Sequence, residues 1–329
     1  MKKAADLLPR FVRRLGARQR NEPVIVGISG GCDSVVLLDL LRRAAFEKLI
    51  VAHMNHGLRG KAADRDEKFV RELAQTTGVG FVFSRAKAKL RATRNKESIE
   101  EAARNLRRTF FARASKKHKA KTVFLAHHAN DAAETMLFHL ARGSGRRGLG
   151  SLREEAPLEN SAAIIVRPLL GFTRAEIVNY ARMRKLVWRE DKSNSSRDFT
   201  RNRLRHDVLP LLAKAVGHDP VLSMARAAEI MDCEEEWLGG LVAAEACAAQ
   251  IDVHALRRMP VARQRRLLRA WLCTRTRGEV DFEKVENARI VALSNDKPAK
   301  MNLPRTHHLR RRAGKLFVEK PARARRSTK

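Results

Sequence analysis

Aromatic residues, cysteines and long apolar runs are scarce in this sequence of 329 residues, and each shortage argues against a class of protein. One Tyr and three Trp leave little material for a broad platform that stacks single-stranded bases. Four cysteines without a C-x-x-C pair disfavour iron–sulfur clusters, structural zinc and secreted disulfide frameworks. No apolar run approaches the length that spans a bilayer. We therefore expect a cytoplasmic protein with no membrane partner.

Positive charge is what the sequence has in excess. Lys and Arg number 68 against 36 Asp and Glu, which gives a formal net charge of +32. A surplus of this size repels itself unless a polyanion shares it, so nucleic acid is the first predicted partner. A ribosome-associated, membrane-surface or merely basic protein is the open alternative. Because aromatic residues are few, the expected targets are backbone phosphates and a single captured base.

Short β-branched runs alternate with helical patterns over the first two thirds of the chain. Such alternation predicts parallel β-α-β units in a doubly wound α/β sheet, whose ligands bind at the carboxyl ends of the strands. An Arg-rich amphipathic helix over residues 1–20 is expected to precede the first strand, and a transit peptide is its alternative. The predicted strands are 24–28, 49–53, 81–83, 122–126 and 164–166, with helices at 35–41, 98–117, 131–140 and 174–184.

From about Pro220 onward the pattern is helical. Residues 257–277 hold eight Arg and no acidic residue, interleaved with apolar positions, and predict one basic amphipathic helix that lies on membrane, protein or RNA. Residues 316–318 read as one short strand. We predict a nucleotide-binding catalytic domain over 1–217, a second, smaller helical domain over 218–319, and a disordered basic tail over 320–329.

The strongest motif lies between the first strand and the first helix of the sheet. Its glycines allow the backbone to approach an anion at positive φ, and the following helix points its N–H groups and positive dipole end at the turn. The motif is neither a Walker A loop nor G-x-G-x-x-G, and we interpret it as a pyrophosphate cradle. A carboxylate inside an anion cradle indicates Mg²⁺ or a cationic nucleophile nearby, with a helix cap as the alternative. The motif is Ser29, Gly30, Gly31, Cys32, Asp33 and Ser34.

S-G-G-x-D-S in this position resembles the PP-loop ATP pyrophosphatases, which cleave ATP between the α- and β-phosphates and form an adenylate that a nucleophile attacks. Further segments resemble tRNA(Ile)-lysidine synthetases, and the resemblance runs continuously from about residue 23 to 212. The segments are H-M-N-H-G-L-R from His53, E-A-A-R from Glu101, A-H-H-A-N-D-A-A-E-T from Ala126, R-G-S-G from Arg142, R-P-L-L from Arg167, W-R-E-D-K-S-N from Trp188 and T-R-N-R-L-R from Thr200.

The resemblance implies a complete reaction. ATP and Mg²⁺ adenylate C2 of the wobble cytidine in the CAU anticodon of tRNA(Ile), and the ε-amine of free L-lysine then displaces AMP. Lysidine, AMP and pyrophosphate result, and the recognised codon changes from AUG to AUA. A homodimer is compatible with this interpretation. The resemblance assigns catalysis to Asp33, Arg104 and Asp131; ATP binding to residues 29–34, His53, Arg104 and His127; lysine binding to Asp131 and Glu134; tRNA binding to Arg201, Asn202, Arg203 and Arg205; and any metal contact to Asp33.

The sequence departs from the family's pattern at three positions. Arg108 stands where the family has Tyr, Asn130 where it has the first Asp of a pair, and Ala132 where it has Gln. Longer members also carry a further C-terminal domain, for which the basic tail would have to substitute. A tRNA thiolase with the same loop is the second hypothesis, although only Cys32 lies in the nucleotide domain. A non-catalytic RNA-binding protein is the third, and the intact Asp33, Arg104 and Asp131 argue against it.

Overall fold

The computed structural model describes residues 6–58, 60–150, 152–190, 200–276, 278, 280–294 and 299–319. The chain forms two units, Met1–Asp232 and Cys233–Lys329. Among the described residues, no helix has the length and apolar character that a membrane crossing requires.

Six strands build the sheet of the first unit. Their order is β3-β2-β1-β4-β6-β5, and every neighbouring pair is parallel except β5 with β6. The parallel core confirms the predicted doubly wound α/β fold, and the strand order reverses between β1 and β4. The antiparallel edge strand β5 was not predicted. The strands are β1 (Val24–Gly27), β2 (Leu49–Asn55), β3 (Gly80–Arg85), β4 (Thr122–Phe124), β5 (Glu155–Pro157) and β6 (Ile164–Val166).

Helices cover both faces of this sheet because successive strand side chains point to opposite sides. Val24 and Val26 pack in one core with α1, α2, α3 and α8, whereas Ile25 packs with α5 in another. The helices of the unit are α1 (Leu8–Leu15), α2 (Cys32–Arg43), α3 (Lys61–Thr77), α4 (Ala88–Asn95), α5 (Ile99–His118), α6 (Ala129–Ala141), α7 (Arg146–Leu149), α8 (Arg174–Met183), α9 (Thr200–Arg203) and α10 (Leu209–Val216), and α11 (Val221–Cys247) begins in it.

Local chemistry accounts for most of the boundaries. The Ser98 hydroxyl caps α5 by accepting the N–H of Glu101 at 3.1 Å, close to the predicted start. Thr173 and Glu176 form a capping box at the start of α8, where the helix predicted over 174–184 begins. The N-terminal helix is shorter than predicted and ends at Leu15. Helices α3 and α4 were missed because few apolar residues mark their buried faces.

The second unit is a correction to the sequence analysis, which predicted helices and one short strand. It contains a four-stranded antiparallel sheet in the order β7-β10-β9-β8. These strands are short and rich in Arg and Lys, so their alternation is hidden in runs of charge. Its elements are β7 (Ile251–Asp252), α12 (Val253–Arg258), α13 (Val261–Thr276), α14 (Phe282–Leu293), β8 (Lys300–Asn302), β9 (His308–Arg312) and β10 (Lys315–Glu319).

The predicted single helix over 257–277 is wrong in one respect. Pro260 separates α12 from α13, because proline lacks the N–H that an uninterrupted helix needs and disfavours helical geometry in the residue before it. The apolar face of α13 is buried as expected. Leu268, Trp271 and Leu272 lie in one core with Leu309 of β9 and Leu316 of β10.

Candidate active site

The glycine motif forms a tight turn at the carboxyl end of β1. Gly30 has φ of +94°, a conformation that side chains rarely adopt. The Ser34 hydroxyl donates to the Gly31 carbonyl at 2.8 Å, and the backbone N–H of Arg189 donates to the Gly30 carbonyl at 3.0 Å. Helix α2 begins directly after Gly31 and directs its positive dipole end at the turn. The loop is therefore a preformed anion cradle, with Ser34 bonded inside it.

Asp33 is held at the mouth of this cradle by two side chains from other elements. Its Oδ2 accepts a hydrogen bond from Arg174 Nη1 at 2.8 Å and lies 3.7 Å from His128 Nε2. Its Oδ1 is buried and has no hydrogen-bond partner among the described residues. A buried carboxylate oxygen without a partner is costly, so this atom is suited to bind a cation or a donor from a ligand.

The residues after β4 form the adjacent part of the site. Asp131 Oδ2 accepts the backbone N–H of His128 at 2.9 Å, which places this carboxylate at the start of α6. Burial alone would raise the pKa of Asp131, but His128, His127 and Arg205 together hold it below its usual value. Glu134, one turn later, is 3% exposed, and burial raises its pKa despite the neighbouring Arg205. Of the two carboxylates, Glu134 is the stronger base.

Arg205 occupies a different place from the one its motif suggested. Its Nε lies 2.6 Å from Glu134 Oε1, and its Nη2 lies 3.2 Å from Glu134 Oε2 and 3.4 Å from Asp131 Oδ1. It belongs to a π-helical turn, Leu204–Val208, a geometry frequent at functional sites. The guanidinium therefore fills the acidic pocket predicted for lysine, and it shows that this pair of carboxylates accommodates a cation.

The two histidines predicted to contact ATP differ in their surroundings. His53 is buried, its Nδ1 donates to the Ile28 carbonyl at 2.8 Å, and its ring stacks on Phe83. It supports the strand that leads into the loop. Burial lowers the pKa of His127 to about 3, with Arg167 and Arg107 adding to the effect. Its Nδ1 is buried without a hydrogen-bond partner among the described residues, so it can bond a ligand.

Arginines with no compensating carboxylate line the other side. Among the described residues, Arg104, Arg107 and Arg167 make no ion pair; burial lowers the pKa of all three, to about 10 for Arg167. Arg167 donates one hydrogen bond, to the Arg153 carbonyl at 2.7 Å, and its buried Nε has no partner among the described residues. Arg104 and Arg107 are exposed and Arg167 is half-buried, and cations held close to one another favour a bound anion.

The tRNA-binding residues predicted from T-R-N-R-L-R do not stay together. Arg201 is exposed and lies 3.3 Å from Glu100, and Arg203 is bonded to Thr200 within α9. Asn202 is on the same short helix, whereas Arg205 turns into the acidic pocket. Part of the preceding motif, namely Asp191, Ser193 and Asn194, lies outside the described residues, as does the tail 320–329.

The sequence analysis assigned no role to Arg174 or His128, and both contribute to the site. Arg174 holds Asp33, and the side-chain oxygen of Asn130 accepts the backbone N–H of Arg174 at 2.9 Å. The Asn that replaces an expected Asp thus fixes the helix start from which Arg174 reaches the loop. His128 was quoted within its motif but assigned no role. Arg174 and Asp33 are 141 positions apart, so no local spacing connects them.

Comparison with known proteins matches both units. Residues 5–212 match the PP-loop domain family, and residues 251–317 match the TilS substrate binding domain. The tRNA(Ile)-lysidine synthase of Geobacter sulfurreducens is 36% identical over 303 residues, which cover 88% of this chain and 63% of that protein. The same enzyme of Solibacter usitatus is 37% identical over 284 residues, covering 83% and 61%. The chain therefore spans about three fifths of the length of these curated relatives.

The fold is also similar to that of a solved structure. It is the U34-tRNA thiolase NcsA from Methanococcus maripaludis with its [4Fe-4S] cluster, with a TM-score of 0.56 and 20% identity. The match covers 68% of this chain and 78% of that one. At this identity the likeness shows the fold alone.

Proposed function

Because this chain belongs to the PP-loop domain family, we propose that it forms lysidine at the wobble cytidine of tRNA(Ile), using ATP and free L-lysine. The match to the TilS substrate binding domain and the printed names of the relatives support this proposal and agree with the resemblance found in the sequence. We assign catalysis to residues 1–217 and tRNA binding to residues 218–319, with Arg201, Asn202 and Arg203 contributing from α9.

The observation that carries the proposal is the distance between the anion cradle and the cation pocket. His128 Nε2 lies 3.7 Å from Asp33 Oδ2 on the loop side and 3.6 Å from Asp131 Oδ2 on the other. One buried imidazole therefore bridges a site for phosphate and a site for an ammonium group. An enzyme that joins an adenylated base to an amine must hold the two sites close enough for the bound amine to reach the adenylated carbon.

In the first step, the oxygen at C2 of cytidine attacks the α-phosphate and pyrophosphate leaves. The loop and the start of α2 stabilise the charge of the leaving pyrophosphate, while Arg104, Arg107 and Arg167 face the remaining phosphate charge. Among the described residues no three His, Cys, Asp or Glu side chains are grouped to hold a metal ion. Asp33 Oδ1 would hold Mg²⁺, which would neutralise phosphate charge when bound.

In the second step, lysine enters the pocket of Asp131 and Glu134 and replaces the Arg205 guanidinium there. Lysine binds as an ammonium ion, and Glu134, whose pKa is raised by burial, takes one proton from it. The neutral ε-nitrogen then attacks C2, the bond from C2 to oxygen breaks, and AMP leaves with that electron pair. The second proton lost by the nitrogen passes to the phosphate of the departing AMP. Asp131, whose pKa is held low, stays ionised and orients the amine.

The proposal is tested by incubating the protein with total tRNA, ATP and a panel of amines, followed by mass spectrometry of the nucleosides. We expect one new nucleoside with the mass of lysidine, formed only with lysine, and equal amounts of AMP and pyrophosphate. A sulfur-containing nucleoside would instead identify a thiolase. AMP release with no modified nucleoside would overturn the ligase assignment.

A further inference from the structure

The sheet of the second unit has one face in the core and one face turned away from it. Met301, Leu309, Leu316 and Val318 belong to the core cluster or pack against it. Because side chains alternate along a strand, their neighbours point to the opposite side. We call this second side the outer face. It carries Lys300 of β8, His308, Arg310 and Arg312 of β9, and Lys315 and Phe317 of β10.

The register brings like charges together on the outer face. Arg312 stands opposite Lys315, and Lys300 stands opposite Arg310. The carboxylate of Glu319 compensates Arg310 at 2.7 Å. Lys300, Arg312 and Lys315 are exposed and have no ion-pair partner among the described residues. Like charges directly opposite each other destabilise a sheet, unless an anion lies between them.

Three arginines of α13, the helix that the sequence singled out as a basic surface, differ from these cations. Arg263 pairs with Glu245 at 2.8 Å, Arg265 with Glu286 at 2.7 Å, and Arg266 with Glu235 at 2.7 Å. Arg269 and Arg275 of the same helix donate to backbone carbonyls and make no ion pair among the described residues. Three of the five arginines of α13 are therefore compensated within the unit, whereas the three exposed cations of the outer face have no partner carboxylate among the described residues.

Phe317 adds an aromatic surface to these cations. It is half-buried, is no part of the core, and stands opposite Arg310 in the register. An aromatic ring among cations on a sheet face is the arrangement that stacks an unpaired base while its phosphates are neutralised. We propose that the outer face binds a single-stranded segment of tRNA, with phosphates at Lys300, Arg312 and Lys315 and one base on Phe317. This inference rests on the proposed function, which makes tRNA the substrate.

The test of the phosphate contacts is the triple variant Lys300→Ala/Arg312→Ala/Lys315→Ala of the full chain. Binding of unmodified tRNA(Ile) transcript is measured over a range of salt concentrations. Each lost single-strand contact should lower the slope of log K against log salt by about 0.7, so a loss of about 2 is expected. The matched control is Arg113→Ala/Lys116→Ala/Lys117→Ala, which removes three exposed cations from α5. The control removes the same amount of charge from a surface outside the proposed contact, so it should keep nearly the full slope.

The test of the base contact is Phe317→Ala, expected to weaken tRNA binding about tenfold with the salt slope unchanged. Phe317→Trp should keep the affinity, because any aromatic ring can stack a base, and circular dichroism of each variant checks the fold. If the triple variant binds tRNA as well as the control does, the proposal that the outer face binds tRNA is wrong, and the proposed function still stands. A wild-type protein that binds no tRNA overturns the proposed function together with it.

Discussion

The acidic and basic sides of the candidate site differ in how their charges are compensated. Each carboxylate on the acidic side already has a cation beside it, as Asp33 has Arg174 and Glu134 has Arg205. On the basic side, burial and neighbouring arginines lower the pKa values of Arg104, Arg107 and Arg167, and none of the three makes an ion pair among the described residues. The basic side is therefore prepared for an incoming anion, whereas an incoming cation must replace one of the protein's own.

The sharpest test of the acidic side is Asp33→Ala. Removing this carboxylate leaves Arg174 without its partner and takes away the unpaired Oδ1 at the cradle. We expect AMP formation in the presence of tRNA to fall by about 10²–10³-fold, the range for loss of one electrostatic group in a reacting site. Asp39→Asn, on the same helix but bonded to Tyr180, is the control and should keep activity. Near-normal turnover of Asp33→Ala would contradict the role of the cradle.

On the basic side, Arg104→Ala should raise the KM for ATP or tRNA about tenfold, because a charge-assisted hydrogen bond to phosphate is worth about 1.5–3 kcal/mol. Arg104→Lys keeps the charge but not the planar fork, so it should recover only part of the loss. Steady-state kinetics at several ATP and tRNA concentrations separates the two substrates. Full activity of both variants would show that this cluster serves only the fold.

Glu134→Gln tests whether the acidic pocket selects the amine. The substitution keeps the shape but removes the charge that pairs with Arg205, so we expect about a tenfold higher KM for lysine, with the KM for ATP unchanged. In the wild type, lysine-dependent turnover should decline as the pH falls through the raised pKa of Glu134, and this decline should be absent in Glu134→Gln. Glu97→Gln, which loses its pair with Arg91 outside the site, is the control. Equal KM values for lysine in wild type, Glu134→Gln and Glu97→Gln would contradict the proposal that this pocket binds lysine.

His127 gives the smallest expected effect and concerns stability. Its pKa is about 3 in the folded protein and about 6.5 when unfolded. Between these values only the unfolded chain binds the proton, so stability falls as the pH decreases. From pH 7 to 5.5 the free energy of unfolding should drop by about 1 kcal/mol from this group. Denaturant unfolding of wild type and His127→Gln at both pH values measures this drop in the free energy of unfolding. The same drop in both proteins would show that a group other than His127 takes up the proton.

The predictions from sequence succeeded where the requirement was local. Alternating strands and helices predicted the parallel sheet because each β-α-β unit carries its own pattern of apolar residues. The strands of the second unit were not predicted, because strands such as His308–Arg312 have three arginines in a row, bury few residues and so show no apolar pattern. Resemblance predicted lysine binding for Asp131 and Glu134 and tRNA binding for Arg205, but it did not predict that the three side chains contact one another in one pocket.

What the sequence by itself determined is the phosphate loop and its place at the end of β1. A glycine at positive φ, Gly30, and a following helix are properties of adjacent residues, so they need no distant partner. Only the tertiary structure decided which charges are compensated. Arg174 meets Asp33 across 141 positions, and Arg205 meets Glu134 across 71. Asp33, Glu134 and Arg174 are brought near one another because helices far apart in the chain begin at the same edge of the sheet. The partner of a long charged side chain depends on that geometry, which residue spacing does not encode.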